Sequence, residues 1–282
     1  MKITGIAHNA VNVLDMEKAL DFYCSAVGMT KAFELPRDGA PYIVYVKIAK
    51  NNFIEFFYGG EKDRNENYGP DLIGYHHWCV NVTNLQALRD RIFKKGRIKE
   101  DVQPKITGTG GKNMWIHDPD GNAFEILQPL PDSEYQGRDE FLGIGHVGYV
   151  VSDMPRTLDF YCDKLGLKEI RTAERDGKPW LTYLAAKESS TGREGFDGQE
   201  IELFWGGKRT RPNTWQSYGG MHLCLACDDV PDVVEDLRRR GVAIDIETKT
   251  GADKNTQAWV HDPDGNRIEL MQIHPDSPQA KA

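Results

Sequence analysis

Four blocks of this sequence occur twice and in the same order, and that repetition limits the fold more tightly than anything else in the chain. Residues 5–23, GIAHNAVNVLDMEKALDFY, return as GIGHVGYVVSDMPRTLDFY at 143–161. RDGAPYIVY at 37–45 returns as RDGKPWLTY at 175–183, and FIEFFYGG at 53–60 as EIELFWGG at 200–207. WIHDPDGNAFEILQ at 115–128 returns as WVHDPDGNRIELMQ at 259–272. Four ordered matches do not arise by chance, so the chain is a duplication. A jump in spacing before the third block is an insertion in the second copy, KESSTGREGFDGQ, polar and Gly-rich like a surface loop. The boundaries fall at 1–131 for the first module and 140–276 for the second, with a linker at 132–139 and a tail at 277–282.

Each copy divides again, more faintly. GIAHNAVNVLDM at 5–16 resembles GYHHWCVNVTNL at 74–85, and GIGHVGYVVSDM resembles GGMHLCLACDDV at 219–230. There are therefore four units, and each reads the same way. A short alternating strand comes first, then an N-cap candidate (Asp15, Thr83, Asp153 or Asp228). An amphipathic helix follows, in the first unit with Ala19, Leu20, Phe22 and Tyr23 on one side. Gly28, Gly96, Gly166 and Gly241 stand where a left-handed C-cap is needed. Further strands complete the unit, and in units two and four the last two are joined by Asp-Pro-Asp-Gly-Asn, a hairpin signal. The chain is α+β, built of four β-α-β-β-β units.

Composition narrows the function. A net charge of −8 argues against nucleic acid, which wants a clustered basic face. No apolar run approaches the roughly 20 residues of a membrane span, and the N-terminus lacks the apolar stretch of a signal peptide. Five cysteines are an odd number in a chain too long to need disulfide staples, which points to a reducing cytoplasm.

The first strand of every unit carries a histidine at the same place: His8, His77, His146 and His222. The last strand of every unit carries a glutamate: Glu55, Glu125, Glu202 and Glu269. A carboxylate inside an apolar strand is costly to bury uncompensated. One such residue reads as a solvated face or an Arg partner. Four, each with a histidine on another strand of its unit, have a common reason in metal coordination, because imidazole and carboxylate suit first-row divalent ions. The competing reading is that one site has decayed and its residues persist as hydrogen-bonded core groups.

Other features carry less. Cys224 and Cys227 form a CxxC, but residues three apart on a strand face opposite sides, which disfavours zinc or redox chemistry. Cys224 shares a face with His222, and Cys79 with His77. Strand alternation turns His76 away from His77. His117 and His261 precede the hairpin turns and read as structural or supporting groups. Tyr45 and Tyr183 are repeat equivalents that either reach a substrate or pack in the core.

On these positions the chain resembles the vicinal oxygen chelate superfamily, which includes glyoxalase I, methylmalonyl-CoA epimerase, fosfomycin-resistance proteins and type I extradiol dioxygenases. The resemblance covers nearly the whole chain. It implies curled mixed sheets that form metal-binding cups, with His8, Glu55, His77, Glu125, His146, Glu202, His222 and Glu269 as ligands and the glutamates as catalytic groups. Pairing within modules groups His8, Glu55, His77 and Glu125, then His146, Glu202, His222 and Glu269. Pairing across modules, as in fused glyoxalases, groups His8, Glu55, His222 and Glu269, then His77, Glu125, His146 and Glu202.

The resemblance implies a divalent-metal-dependent isomerase, epimerase or lyase that takes a small substrate with adjacent oxygens through an enediolate- or enolate-like intermediate. The metal is Fe, Mn, Ni, Co or Zn. An Fe(II) ring-cleaving dioxygenase of the extradiol type is the alternative, disfavoured by the fourth ligand and by Trp115 and Trp259 where that group has Tyr. A non-catalytic binding protein of the resistance type is a further alternative, and eight intact ligand positions argue against it. The regions that serve glutathione in glyoxalase I read His8-Asn9-Ala10-Val11-Asn12 and Glu55-Phe56-Phe57-Tyr58, without the Arg and Asn expected there. The expected partner is a small molecule, with neither nucleic acid nor membrane, in a cytoplasmic monomer or homodimer.

Overall fold

A computed structural model describes residues 2–59, 71–107, 110–186, 199–210 and 221–282. The inserted loop expected at 187–199 lies outside the described residues except for Gln199. The first unit comprises β1 (Ile3–Val13), α1 (Met16–Leu20), β2 (Thr30–Arg37), β3 (Ala40–Ala49) and β4 (Asn52–Tyr58). The second comprises β5 (Gly74–Val82), α2 (Leu85–Lys94), β6 (Lys105–Ile106), β7 (Lys112–His117) and β8 (Ala123–Gln128). A short helix, α3 (Asp132–Tyr135), follows in the linker. The third unit comprises β9 (Phe141–Val150), α4 (Met154–Leu158), β10 (Lys168–Arg175), β11 (Lys178–Ala185) and β12 (Glu200–Phe204). The fourth comprises β13 (His222–Cys227), α5 (Val230–Arg239), β14 (Ile246–Thr250), β15 (Thr256–His261) and β16 (Arg267–Gln272), and α6 (Pro278–Lys281) ends the chain.

The β-α-β-β-β order holds in all four units. Asp15 and Asp153 cap their helices, accepting from the backbone N–H of Lys18 and Arg156. The caps expected at Thr83 and Asp228 fall one residue later, on Asn84 and Asp229. Thr83 donates instead to the Arg138 carbonyl, and Asp228 pairs with Lys2. The helices of units one and three widen into π-helical turns at Asp21–Val27 and Asp159–Lys164. The first of these buries Phe22, Tyr23, Ala26 and Val27 together and stops at Gly28, whose φ of +96° suits a residue without a side chain.

Two eight-stranded mixed sheets result, and each takes one unit from each half of the chain. Their orders are β14-β15-β16-β13-β1-β4-β3-β2 and β10-β11-β12-β9-β5-β8-β7-β6. The seams are antiparallel, β1 on β13 and β5 on β9. Contacts within a half run through a different layer. Tyr23 of unit one donates to Asp118 of unit two at 3.1 Å, and Tyr161 of unit three to Asp262 of unit four at 3.1 Å. These aspartates also organise the two hairpin turns, where Asp118 Oδ1 accepts from the N–H of Asp120 and Asn122. One apolar core joins the layers, with Tyr23 packed on Phe56 and Trp78 stacked on Phe124 at 4.5 Å. Full burial of side chains of this size contributes about 1.5–3 kcal/mol each. No helix among the described residues is long and apolar enough to cross a membrane.

Candidate metal centre

The sheet seams decide which histidines meet. Register on β1 and β13 sets Ala10 opposite His222 and His8 opposite Cys224, so His8 and His222 point into one curl. β4 and β16 flank the seam and add Glu55 and Glu269. The first cup therefore holds His8, Glu55, His222 and Glu269. The second, formed by β5, β9, β8 and β12, holds His77, Glu125, His146 and Glu202. Of the two groupings open at the level of sequence, the fold adopts the one across the halves.

In the first cup the two Nε2 atoms lie 3.1 Å apart. Glu55 Oε2 is 3.2 Å from His8 Nε2 and 3.3 Å from His222 Nε2, and Glu269 Oε2 is 3.2 and 3.4 Å from the same atoms. In the second cup the Nε2 atoms of His77 and His146 are 2.9 Å apart. Glu125 Oε2 lies 3.6 and 2.9 Å from them, and Glu202 Oε2 3.4 and 3.8 Å. All eight side chains are buried.

These distances fit a shared cation. Ligands about 2.1 Å from one ion are about 3.0 Å apart at right angles and about 3.4 Å at the tetrahedral angle. Among the described residues Glu55 Oε2 and Glu202 Oε2 are buried without a hydrogen-bond partner, an arrangement that costs free energy unless an ion completes it. Clusters with metal-ligand character are formed by His8, His222 and Glu269, and by His77, His146 and Glu202. A third, of Cys79, Glu125 and His146, places the Cys79 thiol beside the second cup, as the shared face with His77 implied.

The two cups differ electrostatically. Burial pushes the carboxyls of Glu55 and Glu269 up, but the paired imidazoles outweigh it and hold both below the usual carboxylate range. Burial prevails at Glu202, which is raised. His77 is pushed down to about 3, first by burial and then by His146 and His76. The His76 contact corrects the expectation from alternation. An irregularity in β5 between Tyr75 and His77 breaks the two-residue period, and the Nδ1 atoms of His76 and His77 come within 2.8 Å.

Around each quartet stand residues that sequence reading weighed less. Trp115 and Trp259, in register with Glu125 and Glu269, set their rings 4.5 Å from His77 and 4.7 Å from His222. Asn113 donates to Glu125 Oε1 at 2.9 Å, whereas its equivalent Gln257 accepts from Trp259 Nε1. Their position two residues before each tryptophan was the available signal. His117 and His261 are exposed at strand ends, and His261 pairs with Asp245. A cavity of about 280 Å³ opens onto Glu55, His222 and Glu269, with Tyr45, Phe57 and Trp259 in its walls.

The family model of the Glyoxalase/Bleomycin resistance protein/Dioxygenase superfamily matches residues 5–126 and again 143–270. The chain belongs to this superfamily. Glyoxalase I of Saccharomyces cerevisiae is 25% identical over 307 residues, covering 94% of this chain and 91% of its own. A lactoylglutathione lyase of Schizosaccharomyces pombe is 23% identical over 304 residues, covering 96% of this chain and 97% of its own. Among solved structures, glyoxalase I from Zea mays superposes with a TM-score of 0.68 at 20% identity, covering 95% of this chain and 92% of its own. That likeness establishes the glyoxalase fold for nearly the whole chain. The expectation of a metal-dependent, glyoxalase-like lyase or isomerase is met at the level of family and homologues.

Proposed function

We propose that the chain is a divalent-metal isomerase, epimerase or lyase for a small substrate with adjacent oxygens, working through an enediolate- or enolate-like intermediate. The observation that carries this reading is the convergence of two Nε2 and two Oε2 atoms within 2.9–3.8 Å in each cup. His8, Glu55, His222 and Glu269 would hold one ion, and His77, Glu125, His146 and Glu202 the other. An ion held by them (Fe, Mn, Ni, Co or Zn) would supply Lewis acidity, polarising a carbonyl and stabilising negative charge on the neighbouring oxygens.

The chain's own residues supply the rest. Aromatic walls exclude water from a substrate seated over the first cup. A glutamate carboxylate takes the proton from the carbon beside the carbonyl and returns it to the adjacent carbon, so no electrons leave the substrate. In the first cup Glu269 suits that role, because among the described residues only the two imidazoles hold its carboxylate. A four-donor site leaves fewer open positions than the two-His, one-carboxylate centre of ring-cleaving oxygenases, which favours proton transfer over oxygen chemistry.

The test is metal analysis of purified protein, followed by incubation with α-hydroxycarbonyl compounds and the hemithioacetal of glutathione and methylglyoxal in deuterated water. Deuterium at the carbon next to the carbonyl is expected. Oxygen uptake with catechols, or absence of metal binding, overturns the reading.

A further inference from the structure

Opposite one glutamate of each cup stands a phenol to which the metal reading gives no task. Tyr183 stands opposite Glu202 in the β11–β12 register, and its hydroxyl donates to Glu202 Oε1 at 2.6 Å. Tyr45 holds the equivalent place in the other cup, opposite Glu55 in the β3–β4 register. In both glutamates Oε2 is buried and, among the described residues, without a hydrogen-bond partner. It is also the oxygen that lies within 3.8 Å of both imidazoles of its cup. The two oxygens of Glu202 thus have different partners, Oε1 a phenol and Oε2 the centre of the cup, and the register sets Tyr45 to divide Glu55 in the same way.

The shared placement is not a by-product of similar packing. Phe33 stacks on Tyr45 at 4.4 Å, with Phe53 edge-on at 6.2 Å. At the equivalent places around Tyr183 stand Arg171, 3.6 Å over the ring, and Glu200, which pairs with Arg171 at 2.9 Å. An apolar nest and a half-buried ion pair set the equivalent phenol opposite the equivalent carboxylate. A hydrogen bond to a ligating carboxylate fixes its orientation and tunes its affinity. It also keeps the bonded oxygen from turning toward an ion.

Resting on the metal reading above, we propose that Tyr45 and Tyr183 are positioning residues that restrict Glu55 and Glu202 to a single ligand oxygen, Oε2, and so keep a coordination position for the substrate.

Co2+ titration of the full-length protein tests this, with affinity read by calorimetry and coordination by visible absorption. Tyr45→Phe should weaken binding at the first cup about 10–100-fold, and Tyr183→Phe at the second, each leaving the other cup unchanged. The Co2+ spectrum of the affected cup should change as the released oxygen joins the ion. In a Glu202→Gln background, Tyr183→Phe should have almost no further effect, because both changes act on one interaction. Each substitution removes a single hydroxyl, and the two lie in different sheets, so loss of folding in one leaves the other as the test. Wild-type affinity and spectrum in both single variants overturn the proposal, as does an undiminished Tyr183→Phe effect beside Glu202→Gln. Failure of the wild type itself to take up Co2+ or another divalent ion removes the metal reading, a result distinct from the first.

Discussion

His8 and His222 are 214 residues apart in the chain, yet their Nε2 atoms lie 3.1 Å from one another. Neither half of the duplication owns a cup. Each half is tied internally through Tyr23 on Asp118 or Tyr161 on Asp262, while its sheets are completed by the other half. Residues 1–131 alone would expose the edges of β1 and β5, which in the whole chain pair with β13 and β9. Open edges of that length seek partners. The isolated half is expected to dimerise and to bind Co2+ only as a dimer, as light scattering and titration across protein concentration will show. A monomeric half with the affinity of the full chain would contradict the interlocked arrangement.

Glu269 borders the cavity of about 280 Å³, and Glu125 has its Oε1 held by Asn113. Glu269→Gln keeps the shape and an oxygen donor but cannot accept the substrate proton. Loss of a general base typically costs 10²–10⁴-fold, so deuterium exchange at the first cup should fall by about that factor while Co2+ still binds. Full exchange in Glu269→Gln would move the proton-transfer role to another group.

Protons should leave when metal enters, and more from one cup than the other. Burial alone lowers a histidine pKa. At His8 it is outweighed by Cys224 and Glu55, and at His222 by Glu269 and Glu55, so both stand above the ordinary 6.5. In the second cup His146 is raised in the same sense, but His77 is pushed down to about 3. A raised histidine stabilises the metal-free fold below pH 6.5, and that contribution is lost as pH rises through the folded-state value. Metal binds the neutral ring and must displace the proton. Near pH 7 the first cup should therefore release more protons than the second, and its affinity should climb more steeply with pH. Calorimetry in buffers of different ionisation enthalpy counts them, using His146→Ala to silence the second cup and His8→Ala the first. Equal release from both cups would count against this assignment.

The repeats made the four units and the eight converging side chains legible, because a buried Glu and His recurring at fixed places leave a pattern that one copy cannot. Which histidine faces which was not legible. That choice depends on which strand edges pair, and Ile3–Val13 presents the same alternating surface to either partner. The orientation of His76 was missed because one irregular residue in β5 resets the period, and sequence alternation carries no mark of it. Thr83 and Asp228 are each followed by a second capping residue, and helix geometry selects that one, Asn84 and Asp229. The phenols of Tyr45 and Tyr183 were visible as equivalents, but their pairing with Glu55 and Glu202 follows from strand register, which only the fold supplies.

The two sheets are also fastened to each other beside the cups. Asn52 Oδ1 accepts from the Ile144 N–H at 3.0 Å, and its repeat equivalent Gln199 accepts from the Ile6 N–H at 3.3 Å. Ile6 and Ile144 each precede a cup histidine by two residues, so these bonds locate the strands that carry His8 and His146. Asn52→Ala leaves the buried Ile144 N–H without its acceptor and should cost about 1–3 kcal/mol in urea unfolding. Gly143 faces the same carboxamide. A Cβ there would stand 2.4 Å from Asn52 Oδ1, and its φ of +132° already disfavours a side chain. Gly143→Ala should therefore destabilise by at least as much. Part of that cost is the clash with Asn52, which vanishes once the carboxamide is gone. The double variant Asn52→Ala with Gly143→Ala should then lose less than the sum of the single losses. Strict additivity would mean that Gly143 is required by its backbone angle alone and that the clasp exerts no force on β9.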